Sequence, residues 1–174
     1  MPRGKAAKIA IWVLGILVVA VAAVLVTGWL LPEEHRAEVR ETIPASPEQV
    51  YALISDVERF PAWRSDVTRV EVESREPELR FREHDDGESI LYVVDSAVPG
   101  ERFETRIADE SLPFGGSWTI TLRPAGAGTE LHIVEEGAVY NPVFRFVSRF
   151  VIGHDAMLER YLSDVQRWFV PESP

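Results

Sequence analysis

Residues 129–146, TELHIVEEGAVYNPVFRF, hold the turning point of the chain. The first half alternates: Leu131, Ile133 and Glu135 fall on one side, His132, Val134 and Glu136 on the other, as in a half-buried strand. Asn141 then offers a helix cap and Pro142 suits a first helical turn. Beyond them Val143, Phe146, Val147, Phe150, Met157, Tyr161, Val165 and Trp168 recur at helical spacing, which predicts a long helix with an apolar stripe. Gly153 is expected to kink or divide it. A strand that runs straight into such a helix belongs to a sheet that buries one face against it.

Working outward, short strands with turn signals between them are predicted at about 67–74, 78–84, 88–98, 101–108, 116–123 and 129–138. The turns fall at Glu76-Pro77, HDDG (84–87), Pro99-Gly100, the SLPFGG loop (111–116) and PAGAG (124–128). Short connections at regular spacing imply an antiparallel meander. Upstream, residues 36–43 place Ala37, Val39, Glu41 and Ile43 on one face, as in a first strand. Ser46, Pro47 and Gln49 form a capping-box start for a helix, and SDVERFPAW reads as a second short helix stopped by Pro61. The fold class expected is α+β: a curved antiparallel sheet of about seven strands around a long C-terminal helix, with two short helices after strand 1. That geometry leaves a cavity between sheet and helix.

Joining the apolar faces of the last two strands pairs Leu122 with Leu131, Ile120 with Ile133 and Trp118 with Glu135. Glu135 then points inward and Glu136 outward. Adjacent carboxylates on opposite faces cannot flank one bond, which excludes a two-carboxylate glycosidase. Glu135 keeps three readings: an ion pair with Arg145 or Arg149 or acceptance of backbone N–H groups at the helix start, recognition of a polar ligand group, or an acid/base role. Trp63, Tyr92, Trp118, Met157 and Tyr161 are the candidate cavity-lining residues, with core filling as the alternative for each.

Residues 9–31 form a 23-residue run without charge. As a helix it spans about 34 Å, slightly more than the roughly 30 Å hydrocarbon core. Trp12 and Trp29 stand near its ends, where interfacial aromatics sit. The apolar run is too long for a signal peptide, and Gly-Trp-Leu-Leu-Pro is a poor cleavage site. The reading is an uncleaved single-pass cell-membrane anchor: a basic tail (1–8), the transmembrane helix (9–31), a linker (32–35) and a domain (36–170). Arg3, Lys5, Lys8 and the terminal amine outweigh Arg36 and Arg40, which places the domain outside the cytoplasm. Gly15 and Gly28 are too far apart to form a GxxxG pairing face. The sequence assigns no oligomeric state.

Beyond Leu31, 28 carboxylates face 15 arginines and no lysine, a balance of −13 that disfavours nucleic acid. The absence of cysteine removes thiol nucleophiles and Cys-based zinc sites. His35, His84, His132 and His154 show no clustered ligand spacing, although His154 reaches the cavity if the helix kinks beside it. Gly115-Gly116 lacks the helix start of a phosphate cradle, and Ser117 lacks a nucleophile elbow. No metal and no cofactor are expected.

The run IPASPEQVYALISDVERFPAWRSDV (43–67) resembles the start of the SRPBCC superfamily, the START-like or Bet v 1-like helix-grip domains. GGSWTITLRPAGAGTELHIVEEGAVYNPVFRFVSRFVIGHDAMLERYL (115–162) resembles the later half of bacterial members of the polyketide cyclase/dehydrase-like branch. The resemblance covers about residues 36–170. It implies a helix-grip fold with a hydrophobic cavity, in a superfamily of lipid carriers, hormone receptors, quinone-binding proteins and some enzymes. The matched positions (Ser46-Pro47, Trp63, Trp118, Gly128-Thr129, Gly137, Asn141-Pro142) are structural, so no catalytic residue is carried over. The expectation is a membrane-anchored domain binding a small hydrophobic or amphipathic ligand: a lipid, isoprenoid or polyketide-like molecule. The alternatives are a cyclase/dehydratase-like enzyme using Glu135 as acid or base, and a protein-interaction module with a filled core.

Overall fold

The computed structural model describes residues 3–85, 87–152 and 156–170, and the side chains of 8–85, 87–150 and 156–170. Helix α1 (Arg3–Leu30) leads to strand β1 (Glu34–Ile43), helix α2 (Pro47–Ser55), a 3₁₀ turn (Val57–Arg59) and helix α3 (Phe60–Trp63). Strands β2 (Arg69–Ser74), β3 (Arg80–His84), β4 (Ser89–Val98), β5 (Arg102–Ile107), β6 (Phe114–Ala125) and β7 (Gly128–Val139) follow. Helix α4 (Pro142–Val147), a π-helical turn (Ser148–Ile152) and helix α5 (Ala156–Phe169) complete the order. Gly153 and His154, to which the sequence gives a kink and a possible cavity contact, lie outside the described residues.

The seven strands form one antiparallel sheet in the order β1-β7-β6-β5-β4-β3-β2. The first strand therefore crosses to pair with the last. The meander is thus clamped at β7, whose partners are β1 and β6. Register shifts between Val72 and Ser74 on β2 and between Val94 and Ser96 on β4 bend those strands, as extra residues in a ladder do, and the sheet curves. Its concave face carries Phe81, Tyr92, Phe103, Ile120, Leu122, Leu131 and Ile133, all buried. Leu158 and Val165 on α5 close over it and are fully buried. This is the helix-grip arrangement expected from the sequence.

Local chemistry fixes the short helices. The Ser46 hydroxyl accepts from the Gln49 amide while the Gln49 side chain accepts from the Ser46 amide, so the capping box is complete. Pro61 does not stop a helix, as its sequence context suggests. It occupies the first turn of α3, where its missing N–H has no helical partner to lose. Phe114 and Gly115, read as loop, pair with Val139 and Ala138. Glu34 and His35, read as linker, already belong to β1, opposite Ala138 and Gly137. Asp164, buried on α5, accepts from the Ser65 amide at 2.7 Å and the Ser65 hydroxyl at 2.9 Å, tying the loop after α3 to that helix.

Helix α1 is apolar from Lys8 to Leu30, long enough to cross a membrane, and its span packs almost nothing from the rest of the chain. The exception is its last turn. There Gly28 meets α4 so closely that a Cβ on it would stand 1.9 Å from the Pro142 carbonyl oxygen. Arg145, buried on α4, donates to the Leu31 and Gly28 carbonyls at 3.1 and 3.4 Å and to the Glu33 carboxylate at 2.6 Å. It also donates to the carbonyls of Val139 and Tyr140. One guanidinium thus serves the helix C-terminus, where free carbonyls need donors and a cation is favoured.

Candidate functional site: the cavity under helix α5

Trp118 and Glu135 face each other in the β6–β7 ladder, as side-chain parity requires, with Ile120 opposite Ile133 and Leu122 opposite Leu131. Glu135 is buried and Glu136 exposed. One neighbour of Glu135 is not among the sequence readings. The Glu135 Oε1 lies 3.4 Å from His35 Nε2 on the neighbouring strand, whereas Arg145 turns to the end of α1. The cause is the β1–β7 pairing, which sets His35 opposite Gly137 and so places its ring across that glycine.

The cavity lies between the sheet and the start of α5. Phe81, Tyr92, Phe103, Trp118, Ile120 and Ile133 line it from the strands, Met157, Leu158 and Tyr161 from α5, and Phe60 from α3. Four of the six candidate residues are therefore brought together: Tyr92, Trp118, Met157 and Tyr161. Trp63 sits behind them in the core, edge-on to Phe60 and to Tyr161 with ring centres 5.7 and 5.2 Å apart. Glu135 and Trp63 are not among the described lining residues. Tyr92 stacks on Phe81 at 5.5 Å and meets Trp118 at 5.7 Å, so the wall is a continuous aromatic surface.

Sequence reasoning missed the polar side. Arg64, Asp66, Glu83 and Thr105 also line the cavity. Arg64 donates to both oxygens of Asp66, at 3.0 and 2.8 Å, and to Glu83 Oε1 at 2.7 Å. Its guanidinium carbon is also 5.2 Å from the Phe60 ring centre and 5.4 Å from that of Tyr161, so cation–π contacts hold its faces. Parity could have found Glu83, because it shares a face with the buried Phe81 on β3. Arg64 and Asp66 carried no such signal, since they follow a four-residue helix with no period of its own.

The two carboxylates respond differently. Burial pushes the Glu83 carboxyl above its ordinary range, and the Arg64 charge only partly offsets this. Burial also acts on Asp66, but the bidentate hydrogen bonds and charge of Arg64 outweigh it and hold that carboxyl low. The Tyr92 and Tyr161 hydroxyls are pushed up by burial, with the Glu83 charge adding to the effect, and stay protonated. With both acids ionised the cluster has one more negative than positive charge. It suits a ligand hydroxyl or other hydrogen-bond donor, and Glu83 is the member placed to hold or release a proton.

The cavity volume is about 60 Å³. At roughly 10–15 Å³ per water on this measure, it holds a handful of waters and no more. Known small-molecule pockets occupy about 300–1,000 Å³. A larger guest therefore needs the wall to move, and the start of α5 is the wall with an adaptable residue, the half-exposed Met157. Among the described residues no group of His, Asp or Glu side chains is arranged to hold a metal ion.

A family model described as polyketide cyclase/dehydrase and lipid transport matches residues 34–167. A START superfamily protein from Mycobacterium smegmatis is similar in structure, with a TM-score of 0.60 at 17% identity, covering 78% of this chain and 97% of the other. An aromatase/cyclase from Streptomyces gives a TM-score of 0.58 at 16% identity, with 79% and 97% covered. A protein of Thermus thermophilus gives a TM-score of 0.60 at 25% identity, with 81% and 99% covered. No curated protein sequence matches the chain.

Proposed function

The chain belongs to the polyketide cyclase/dehydrase and lipid transport family, which implies a ligand-binding helix-grip domain, and from that premise we propose a membrane-anchored binder of a small amphipathic ligand. The ligand class is a lipid, isoprenoid or polyketide-like molecule with an apolar body and a hydroxyl or comparable donor. The observation that carries this reading is the cavity itself: a continuous aromatic wall facing one buried Arg64–Asp66–Glu83 cluster. Apolar burial, at about 25 cal/mol per Å², would supply most of the affinity. The cluster would set the orientation, because its groups are already satisfied and reward only a guest that replaces those hydrogen bonds.

The anchor is residues 9–31 and the domain lies outside the cytoplasm in this proposal, on the strength of the apolar α1 and the excess of basic residues before it. Reporter fusions at the C-terminus test the side. Native mass spectrometry of the full chain, released from detergent micelles, tests the binding. An adduct of a few hundred daltons that is lost on unfolding supports the reading. A clean apo mass after incubation with a lipid and quinone extract would refute it and favour an interaction module whose small cavity is merely core.

A second reading, a cyclase/dehydratase-like enzyme, is favoured by one observation. Glu83 lines the cavity with its carboxyl pushed up by burial, as an acid or base requires. Glu135, for which an acid/base role is one of three readings from sequence, has its Oε1 3.4 Å from His35 Nε2. Turnover of a hydroxylated polyketide substrate that is abolished by Glu83→Gln and kept by Glu135→Gln would establish this reading. Equal loss in both would sink it.

A further inference from the structure

Helix α4 and the π-helical turn after it expose an apolar surface that the cavity does not use. Val143, Phe144 and Phe150 are 42%, 52% and 59% exposed, and Tyr140 just before them is 54% exposed. A soluble domain rarely leaves so many large apolar side chains together in water. The patch is continuous with α1. Gly28 packs on Pro142, and Trp29 and Leu30 beside it are 71% and 70% exposed.

That packing fixes the depth of α4. Gly28 is two residues from the end of the apolar span at Leu30, about 3 Å inside it at 1.5 Å per residue. A helix touching the anchor there lies at the boundary between acyl chains and headgroups. Arg145 locks the arrangement, because its bonds to the Leu31, Gly28 and Tyr140 carbonyls join the end of α1 to the start of α4. The charge pattern agrees. Residues 141–152 contain Arg145 and Arg149 and no carboxylate, in a domain with an overall balance of −13. Interfacial helices combine apolar side chains with basic ones in this way.

We propose that α4 and the π-helical turn form a second membrane contact, lying in the bilayer interface beside α1 with Phe144 and Phe150 among the acyl chains. The occupant of this surface is the lipid bilayer that holds the anchor. The domain is then seated on the membrane at a fixed orientation, rather than swinging from a tether. The face pressed to the lipid belongs to the segment leading into α5, the helix that roofs the cavity. This inference rests on the membrane-anchor reading.

The chain has no cysteine, so single cysteines report position without background. Spin labels at Phe144→Cys and Phe150→Cys, on full-length protein reconstituted in phosphatidylcholine vesicles, would be compared with Val19→Cys in mid-span and Ala127→Cys in the distant β6–β7 hairpin. The expected result is that collisions at 144 and 150 favour oxygen over a water-soluble nickel chelate, as at 19, while 127 favours nickel. Labels at 144 and 150 that match 127, with 19 still favouring oxygen, would overturn the inference and leave the anchor intact. A label at 19 that itself favours nickel would overturn both. All four positions carry exposed side chains, and an unchanged circular dichroism spectrum for each variant confirms the fold.

Discussion

Arg64→Met removes one cation from between two buried carboxylates while nearly preserving volume. Arg64, Asp66 and Glu83 keep only 12%, 19% and 11% of their side-chain surface in water, so neither acid gains a new partner from solvent without opening the site. Breaking a buried pair by deleting one member costs about 3–5 kcal/mol, far more than the pair contributes over an apolar replacement. For a domain of this size that corresponds to a fall in Tm of roughly 10–20 °C. The pH dependence separates this cause from lost packing. The folded Asp66 carboxyl lies low, so its stabilising contribution is full above its unfolded pKa and disappears as pH falls through the folded value. Glu83 is raised, so its ionisation erodes stability as pH climbs from the unfolded to the folded value. Without Arg64 both acids are raised, and the variant should be penalised more at pH 7.5 than at pH 4.5. Tryptophan fluorescence melts of the full chain in a mild detergent, at both pH values, read the difference. Adding Glu83→Gln should return part of the loss. A Tm deficit that is the same at both pH values, or absent, would refute an electrostatic role for the cluster.

Met157→Trp should fill the cavity without burying charge, so any adduct seen by native mass spectrometry is lost while Tm stays within a few degrees. Gly28→Ala should force α4 away from α1, because the clash is with Pro142 backbone atoms at 1.9 and 2.7 Å, and amide exchange over residues 143–147 should quicken. Gly15→Ala, with nothing within 4 Å, should leave those rates unchanged. Ser46→Ala should cost about 1 kcal/mol by losing the α2 cap, and Ser46→Asp should keep most of it, both read from the same fluorescence melts.

The fold was legible where one physical rule acted alone. Alternation on β6 and β7 gave the register from Leu122–Leu131 to Trp118–Glu135, because a one-residue slip would have turned every buried side chain outward. The capping box at Ser46 was equally local. Reading failed where a distant partner decided. Pro61 suits the first turn of a helix as well as it ends one, and the packing of Phe60 and Trp63 into the core chose between them. His35 looked like linker because only β7, a hundred residues on, makes it a strand residue and a neighbour of Glu135. Four aromatic and sulfur-bearing wall residues could be found from apolar periodicity, but a charged residue in a core has no such signature. Arg64, Asp66 and Glu83 come from a loop and a strand separated in sequence, and only the folded chain brings them together.

Small as it is, the cavity is still a candidate for binding. A filled core would not place a cation and two carboxylates against a gap between sheet and helix, since replacing them with apolar residues is commonly neutral or stabilising. Keeping them there suits a site that must accept a polar group from a guest. The roof of that site, α5, is held at its later half by Asp164 on Ser65 and by the buried Val165, whereas Met157 near its start is half exposed. Opening should therefore fall to the Met157 side chain, because Leu158 beside it is fully buried.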